Sequence, residues 1–146
     1  MLYFDTSFVV PYILPEATSN RIQKFFEQHH GDELTTSDVT RVEFTSMLAR
    51  EVRVGGLTAP TAREADERFE VIMSRSFIVL LPDRSDFELC KRFLLQFATG
   101  LRAADALHLA IATNHGARHF YTLDRKLQKA AKLVGVPFDT GGHGTD

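Results

Sequence analysis

The chain has 146 residues, 44% of them hydrophobic, enough for one buried core and too few for two, so a single domain over residues 1–140 is expected, followed by a mobile Gly-rich tail over 141–146. A net charge of −2 excludes binding to a polyanion through an overall basic surface. The single cysteine, Cys90, excludes an internal disulfide and sits in an apolar segment where a thiol is a small buried hydrophobe.

Leu2 to Phe4 reads as a short buried strand, and Asp5, Thr6 and Ser7 supply side-chain oxygens to cap a helix through about Leu14. Ala17 to His30 places Ile22, Phe25 and Phe26 at helical spacing, with Gly31 as the stop. Glu33 to Thr36 is a weak strand. Ser37 and Asp38 cap a helix to about Val54, with Val39, Val42, Met47 and Leu48 on one face and Glu43 within it. Thr58 and Pro60 start a further helix to about Ser74, and Phe77 to Leu81 reads as the clearest buried strand, closed by Pro82. Ser85 to Glu88 has the capping-box pattern before a helix to about Ala98. After Thr99 and Gly100 comes the helix carrying Asp105, which stops near Gly116. His119 to Leu123 is a strand, Asp124 caps a helix to about Leu133, and Val136 to Phe138 adds an edge strand.

Strands alternating with helices predict an α/β fold with a mostly parallel sheet of four or five strands covered on both faces. Ligands of such sheets bind beyond the carboxyl ends of the strands. Asp5 and Asp124 both fall at such ends, and Asp105 opens the apolar run to Ala112. Each aspartate also has an ordinary role, since Asp5 and Asp124 suit N-caps and Asp105 lies in a first turn where the helix dipole favours an acid. Capping leaves mid-helix Glu43 unexplained.

Four carboxylates brought together repel unless a cation joins them, and hard oxygen donors select Mg²⁺ or Mn²⁺. Such an ion makes a bound water more acidic and offsets charge on a phosphodiester. Ser7 and Thr122 are placed to hydrogen-bond the acids, and Arg41, Arg50, Arg102, Arg125 and Lys126 accompany them as candidate contacts to a polyanion. His108, three residues past Asp105 amid apolar neighbours, is expected to be a packed core residue. The sequence has no glycine-rich phosphate loop, no Cys/His zinc spacing and no Gly-x-Ser-x-Gly elbow. An aspartyl-phosphate hydrolase would want a second acid where Ser7 stands.

Four segments carry a resemblance: Tyr3-Phe4-Asp5-Thr6-Ser7, Val42-Glu43-Phe44, Leu101 to Ala110 with Asp105 and His108, and Tyr121-Thr122-Leu123-Asp124. Over nearly its whole length the chain resembles the PIN-domain ribonucleases, and within them the short VapC-type toxins of toxin–antitoxin pairs. The resemblance implies a three-layer α/β/α sandwich and Mg²⁺- or Mn²⁺-dependent endonucleolytic cleavage of RNA. It carries over Asp5, Glu43, Asp105 and Asp124 as the acidic quartet. Asp5 and Asp105 would be the leading metal ligands, Glu43 a ligand or water-orienting base, and Asp124 a ligand through water, with Ser7 and Thr122 as polar neighbours. It further implies a homodimer and a small antitoxin whose dimer binds operator DNA. With no leader sequence and no membrane-length apolar stretch, a cytoplasmic protein is expected. A housekeeping PIN-type nuclease of RNA processing and a non-cleaving RNA- or protein-binding module are the alternatives.

Overall fold

The computed structural model describes residues 1–142. Five parallel strands form one sheet: β1 (Leu2–Phe4), β2 (Leu34–Ser37), β3 (Ile78–Leu80), β4 (His119–Tyr121) and β5 (Phe138–Asp139), in the order β3-β2-β1-β4-β5. Seven helices connect them: α1 (Thr6–Ile13), α2 (Ser19–Gln28), α3 (Asp38–Arg53), α4 (Ala59–Ser76), α5 (Arg84–Leu94), α6 (Ala103–Asn114) and α7 (Arg125–Val134). The chain winds outward from β1 through β2 to β3, then crosses to the other side of β1 for β4 and β5. That reversal puts the switch point between β1 and β4, where a ligand crevice opens at the carboxyl ends.

Alternation along β1 divides the core. Leu2 and Phe4 point into a cluster with Phe8, Ile22, Phe26, Phe44, Phe69 and Met73, under α1 to α4. Tyr3 points the other way, into a cluster with Phe93, Leu109, Ile111, Phe120, Leu127 and Ala131, under α5 to α7. The result is the expected three-layer α/β/α sandwich. No helix among the described residues is long and apolar enough to cross a membrane. Cys90 is buried, as its apolar surroundings predict.

Several elements depart from the sequence expectation for physical reasons. The apolar run Phe77 to Leu81 is not the most buried strand. β3 is an edge strand paired only with β2, so Ile78 is half exposed and Leu81 more so, while Phe77 just before it is buried. The weak second strand is a full interior strand. Its Thr35, Thr36 and Ser37 are completely buried, their polar groups largely satisfied. Thr36 Oγ1 donates to the Phe4 carbonyl at 2.8 Å and meets Thr40 Oγ1 at 2.7 Å, while Thr35 Oγ1 has no partner. The helix α5 ends at Leu94, and a separate 3₁₀ turn, Phe97–Thr99, leads to Gly100, whose φ of +65° turns the chain toward α6. Of the tail, Gly141 packs against Phe8 and Phe25 so closely that a Cβ would fall 2.6 Å from Phe8 Cζ, and residues 143–146 lie outside the described residues.

The capping box of α5 also sits two residues earlier than the Ser85-to-Glu88 pattern suggests. Asp83 accepts from the Ser85 and Asp86 amides, and Asp86 Oδ2 accepts from the Asp83 amide at 3.0 Å. Asp86 is fully buried and also accepts from Asn114 Nδ2 at 2.8 Å, tying α5 to the end of α6. Thermal melts are therefore expected to show Asp83→Ala lowering Tm clearly, while Glu88→Ala, which removes only an exposed partner of Arg84, leaves Tm within error.

Candidate active site

The local backbone explains how each acid reaches the carboxyl edge of the sheet. Asp5 follows β1 and caps α1, its Oδ1 accepting from the Phe8 amide at 3.0 Å. Asp124 lies three residues beyond β4 and caps α7, its Oδ1 accepting from the Lys126 and Leu127 amides at 2.7 and 3.3 Å. Asp105 stands in the first turn of α6, and Glu43 in the second turn of α3. All four line one cleft made of two adjoining hollows that share Glu43, Asp105 and Asp124. One, of about 700 Å³, adds Asp5, Thr6, Ser7, Arg50 and His108; the other, of about 570 Å³, adds Arg102, Arg125 and Lys126. Capping and cleft lining are compatible because Asp5 and Asp124 each engage the helix through Oδ1.

Hydroxyl groups lock the strand ends together. Ser7 Oγ donates to Asp5 Oδ1 at 2.7 Å, accepts from the Leu123 amide at 2.9 Å, and meets Thr122 Oγ1 at 3.2 Å. Thr122 Oγ1 in turn accepts from the Asp124 amide at 3.1 Å. These bonds join the β1 and β4 loops, so Ser7 and Thr122 serve both acids. Glu43 is held differently: its Oε2 accepts from Thr6 Oγ1 and lies 2.7 Å from His108 Nε2. His108 is buried as expected, yet its contact is polar and aimed at the acid cluster. His108, one helical turn past Asp105 on the same face, reads from its apolar neighbours as a core residue rather than part of this site, and no local pattern marks Thr6 or Tyr3 as its partners.

Charge and burial perturb the acids in different directions. Burial pushes the Asp5 carboxyl up to about 6, against the pull of His108, Thr122, Ser7 and the Phe8 amide. Burial and then the charges of Glu43 and Asp124 raise Asp105, with His108 and Arg102 opposing. Burial also raises Glu43, but the bonds from His108 and Thr6 outweigh it and leave the carboxyl below its usual range. Of the candidate cations, Arg50, Arg102, Arg125 and Lys126 line the cleft. Arg41 does not; its guanidinium forks onto Glu70 of α4 at 2.9 and 2.7 Å and reaches Asp38 at 3.0 Å.

Among the described residues, no three His, Cys, Asp or Glu side chains stand close enough to hold a metal ion together. The donor set nevertheless suits Mg²⁺, which keeps several waters and takes one or two carboxylates rather than a complete protein cage. The carboxylate oxygens of Asp5, Glu43, Asp105 and Asp124 are the donors present.

Asp5 binds its proton more tightly in the folded than in the unfolded chain, so stability conferred by the neutral carboxyl is complete at low pH and lost as pH rises through about 6. A rise from 3.8 to about 6 corresponds to about 3 kcal/mol of ionisation cost at neutral pH. Asp5→Asn avoids that cost and keeps an oxygen for the Phe8 amide. In EDTA at about pH 7 the variant is expected to melt above wild type, with the gap closing toward about pH 4. A wild type that is the more stable at pH 7 would mean that the cap outweighs the buried charge.

The PIN domain family model matches residues 2–133, a span that contains all four acids. A sequence comparison with curated proteins finds no match. Solved structures of similar fold include FitAcB from Neisseria gonorrhoeae, at a TM-score of 0.69 and 17% identity, with 97% of this chain and 98% of that one covered. VapC20 from Mycobacterium tuberculosis, a sarcin-ricin loop cleaving toxin, aligns at a TM-score of 0.68 and 17% identity over 89% of this chain and 95% of its own. VapBC2 from Rickettsia felis, bound to a DNA fragment from its promoter, aligns at 0.73 and 10% over 95% and 98%. With the family model covering most of the chain and these folds superposing over nearly all of it, the chain belongs to the PIN domain family.

Proposed function

We propose that the chain is a Mg²⁺- or Mn²⁺-dependent endoribonuclease and the toxin of a toxin–antitoxin pair. The observation that carries this reading is the convergence of Asp5, Glu43, Asp105 and Asp124, from four separate elements, on one cleft flanked by Arg50, Arg102, Arg125 and Lys126. Membership in the PIN family supports a nuclease. The likeness in fold to VapC20 supports RNA as the substrate.

Asp5 and Asp105 would hold a divalent ion in this cleft, with Asp124 as a further ligand and Glu43 as a ligand or water-orienting base, and the ion would supply a more acidic water and offset charge on the phosphodiester oxygens. Ser7 fixes Asp5 by donating to Oδ1, and Thr122 fixes the turn that carries Asp124. Arg102, Arg125 and Lys126 line the hollow of about 570 Å³, where they pair with phosphates flanking the scissile one. The substrate is a single-stranded or loop region, whose backbone can bend into a cleft of this size. A cognate antitoxin, operator binding through that antitoxin, a homodimer and a cytoplasmic location complete the reading. VapBC2, bound as it is to promoter DNA, supports the antitoxin and DNA parts.

Mapping RNA 5′ ends after brief induction of wild type and of Asp105→Asn tests the site and finds the substrate together. Discrete new ends are expected with wild type and none with the variant, and the purified enzyme is expected to lose cleavage in EDTA and recover it with Mn²⁺. Full activity of Asp105→Asn, or cleavage indifferent to chelation, would refute the assignment. Replacing Arg102, Arg125 and Lys126 with Gln together is expected to raise the RNA KM roughly tenfold with little change in kcat. The same variant should flatten the slope of log affinity against log salt by about 2, the value for three single-strand phosphate contacts.

A further inference from the structure

His108 is the one buried histidine in this cleft, and both of its ring nitrogens are engaged. It lies one turn past Asp105 on α6, with 1% of its surface exposed. Nε2 is 2.7 Å from Glu43 Oε2, and Nδ1 is 2.9 Å from the Tyr3 hydroxyl, which donates to Ser37 Oγ at 2.8 Å. Residues of β1, β2, α3 and α6 are thereby joined through one imidazole. Tyr3 is itself fixed, fully buried, stacked on Phe120 at 5.9 Å and edge-on to the His108 ring.

Glu43 needs such a support more than the aspartates do. A glutamate has three side-chain torsions, and holding it in one rotamer costs more side-chain entropy than holding an aspartate. The aspartates at positions 5 and 124 are steadied by the backbone amides they cap, but a mid-helix glutamate has no amide to cap. His108 and Thr6 both bind Oε2, and Oε1 accepts no protein hydrogen bond among the described residues. One oxygen is therefore tied to the protein and the other is free for the cleft. A carboxylate only accepts, so Nε2 must present its hydrogen to Glu43, while the Tyr3 hydroxyl, its one hydrogen given to Ser37 Oγ, meets Nδ1 through its oxygen and holds the ring in that orientation.

We propose that His108 is a positioning residue: through Nε2 it holds Glu43 Oε2 so that Oε1 faces the cleft, and Tyr3 fixes the imidazole from behind. The inference rests on the nuclease reading above and names the contact that sets the geometry of its one glutamate. An imidazole that merely fills the core would be replaced equally well by either amide side chain. One that positions Glu43 would not, because the Gln amide nitrogen falls near the place of Nε2 and that of Asn near Nδ1.

The test compares wild type, His108→Gln, His108→Asn and Tyr3→Phe by calorimetric titration with Mn²⁺ and by steady-state RNA cleavage. His108→Asn is expected to lower kcat and weaken Mn²⁺ binding by about tenfold or more, with the RNA KM unchanged. His108→Gln is expected to stay within a few-fold of wild type on both. Tyr3→Phe keeps the ring packing and is expected to lose several-fold in kcat, so it carries the test if His108→Asn does not fold. Equal impairment of the Gln and Asn variants, or none in His108→Asn and Tyr3→Phe, would overturn the role of His108 while leaving the nuclease reading intact. A wild type that neither binds Mn²⁺ nor cleaves RNA would overturn both.

Discussion

Mutual repulsion among carboxylates is the constraint around which this molecule is arranged. Burial and then the charges of Glu43 and Asp124 raise Asp105, and burial raises Asp5. Left alone, such groups would separate or take up protons. They stay together because each is carried by a different rigid element, three of them with hydrogen bonds of their own. Asp5 and Asp124 are fastened by helix amides, Asp105 by its place in the first turn of α6, and Glu43 by His108 and Thr6. The sheet topology then fixes the distances, because β1 and β4 are hydrogen-bonded neighbours whose following loops are joined through Ser7 and Thr122.

The same economy explains why the caps and the site are not alternatives. An N-cap aspartate commits one oxygen to amide donors and leaves the other outside the first turn, facing whatever lies beyond the strand ends. In a parallel sheet that region is the ligand crevice. A capping residue at a strand-to-helix junction is thus already aimed at the functional edge. The helix N-terminus behind Asp5 also favours its charged form electrostatically, partly offsetting the cost of burial.

Much of this was legible in the sequence, because aspartates at strand ends and one turn into a helix are local signals. The alternation of strands and helices specified a parallel sheet, and the ends of β1 and β4 marked its active edge. Context decided what was not legible. β2 reads as weak because Thr35, Thr36 and Ser37 are polar by composition, although Thr36 and Ser37 find partners on Phe4, Thr40 and Tyr3. β3 reads as buried because Ile78 to Leu81 are apolar, although nothing pairs with its outer edge. Arg41 stands near Glu43 in sequence, but its helical phase points it to Glu70, and only the packing of α3 on α4 reveals that. His108 reads as core because its neighbours on α6 are apolar. Its partners Tyr3 and Glu43 lie 105 and 65 residues away, beyond any local pattern.

A net charge of −2 and a polyanionic substrate are compatible only if the attraction is local, and the cleft meets that condition. Its acidic floor lies where the two hollows adjoin, while Arg102, Arg125 and Lys126 gather at one end and Arg50 stands near the other. Exposed charges farther apart than about 10 Å are largely screened at moderate salt, so the acids elsewhere on the surface contribute little to the field inside the cleft. On the proposed reading, the acids alone repel phosphate, so binding of metal and binding of RNA would be coupled: an ion would remove repulsion between the acids and the backbone, and the flanking cations would hold the strand beside them.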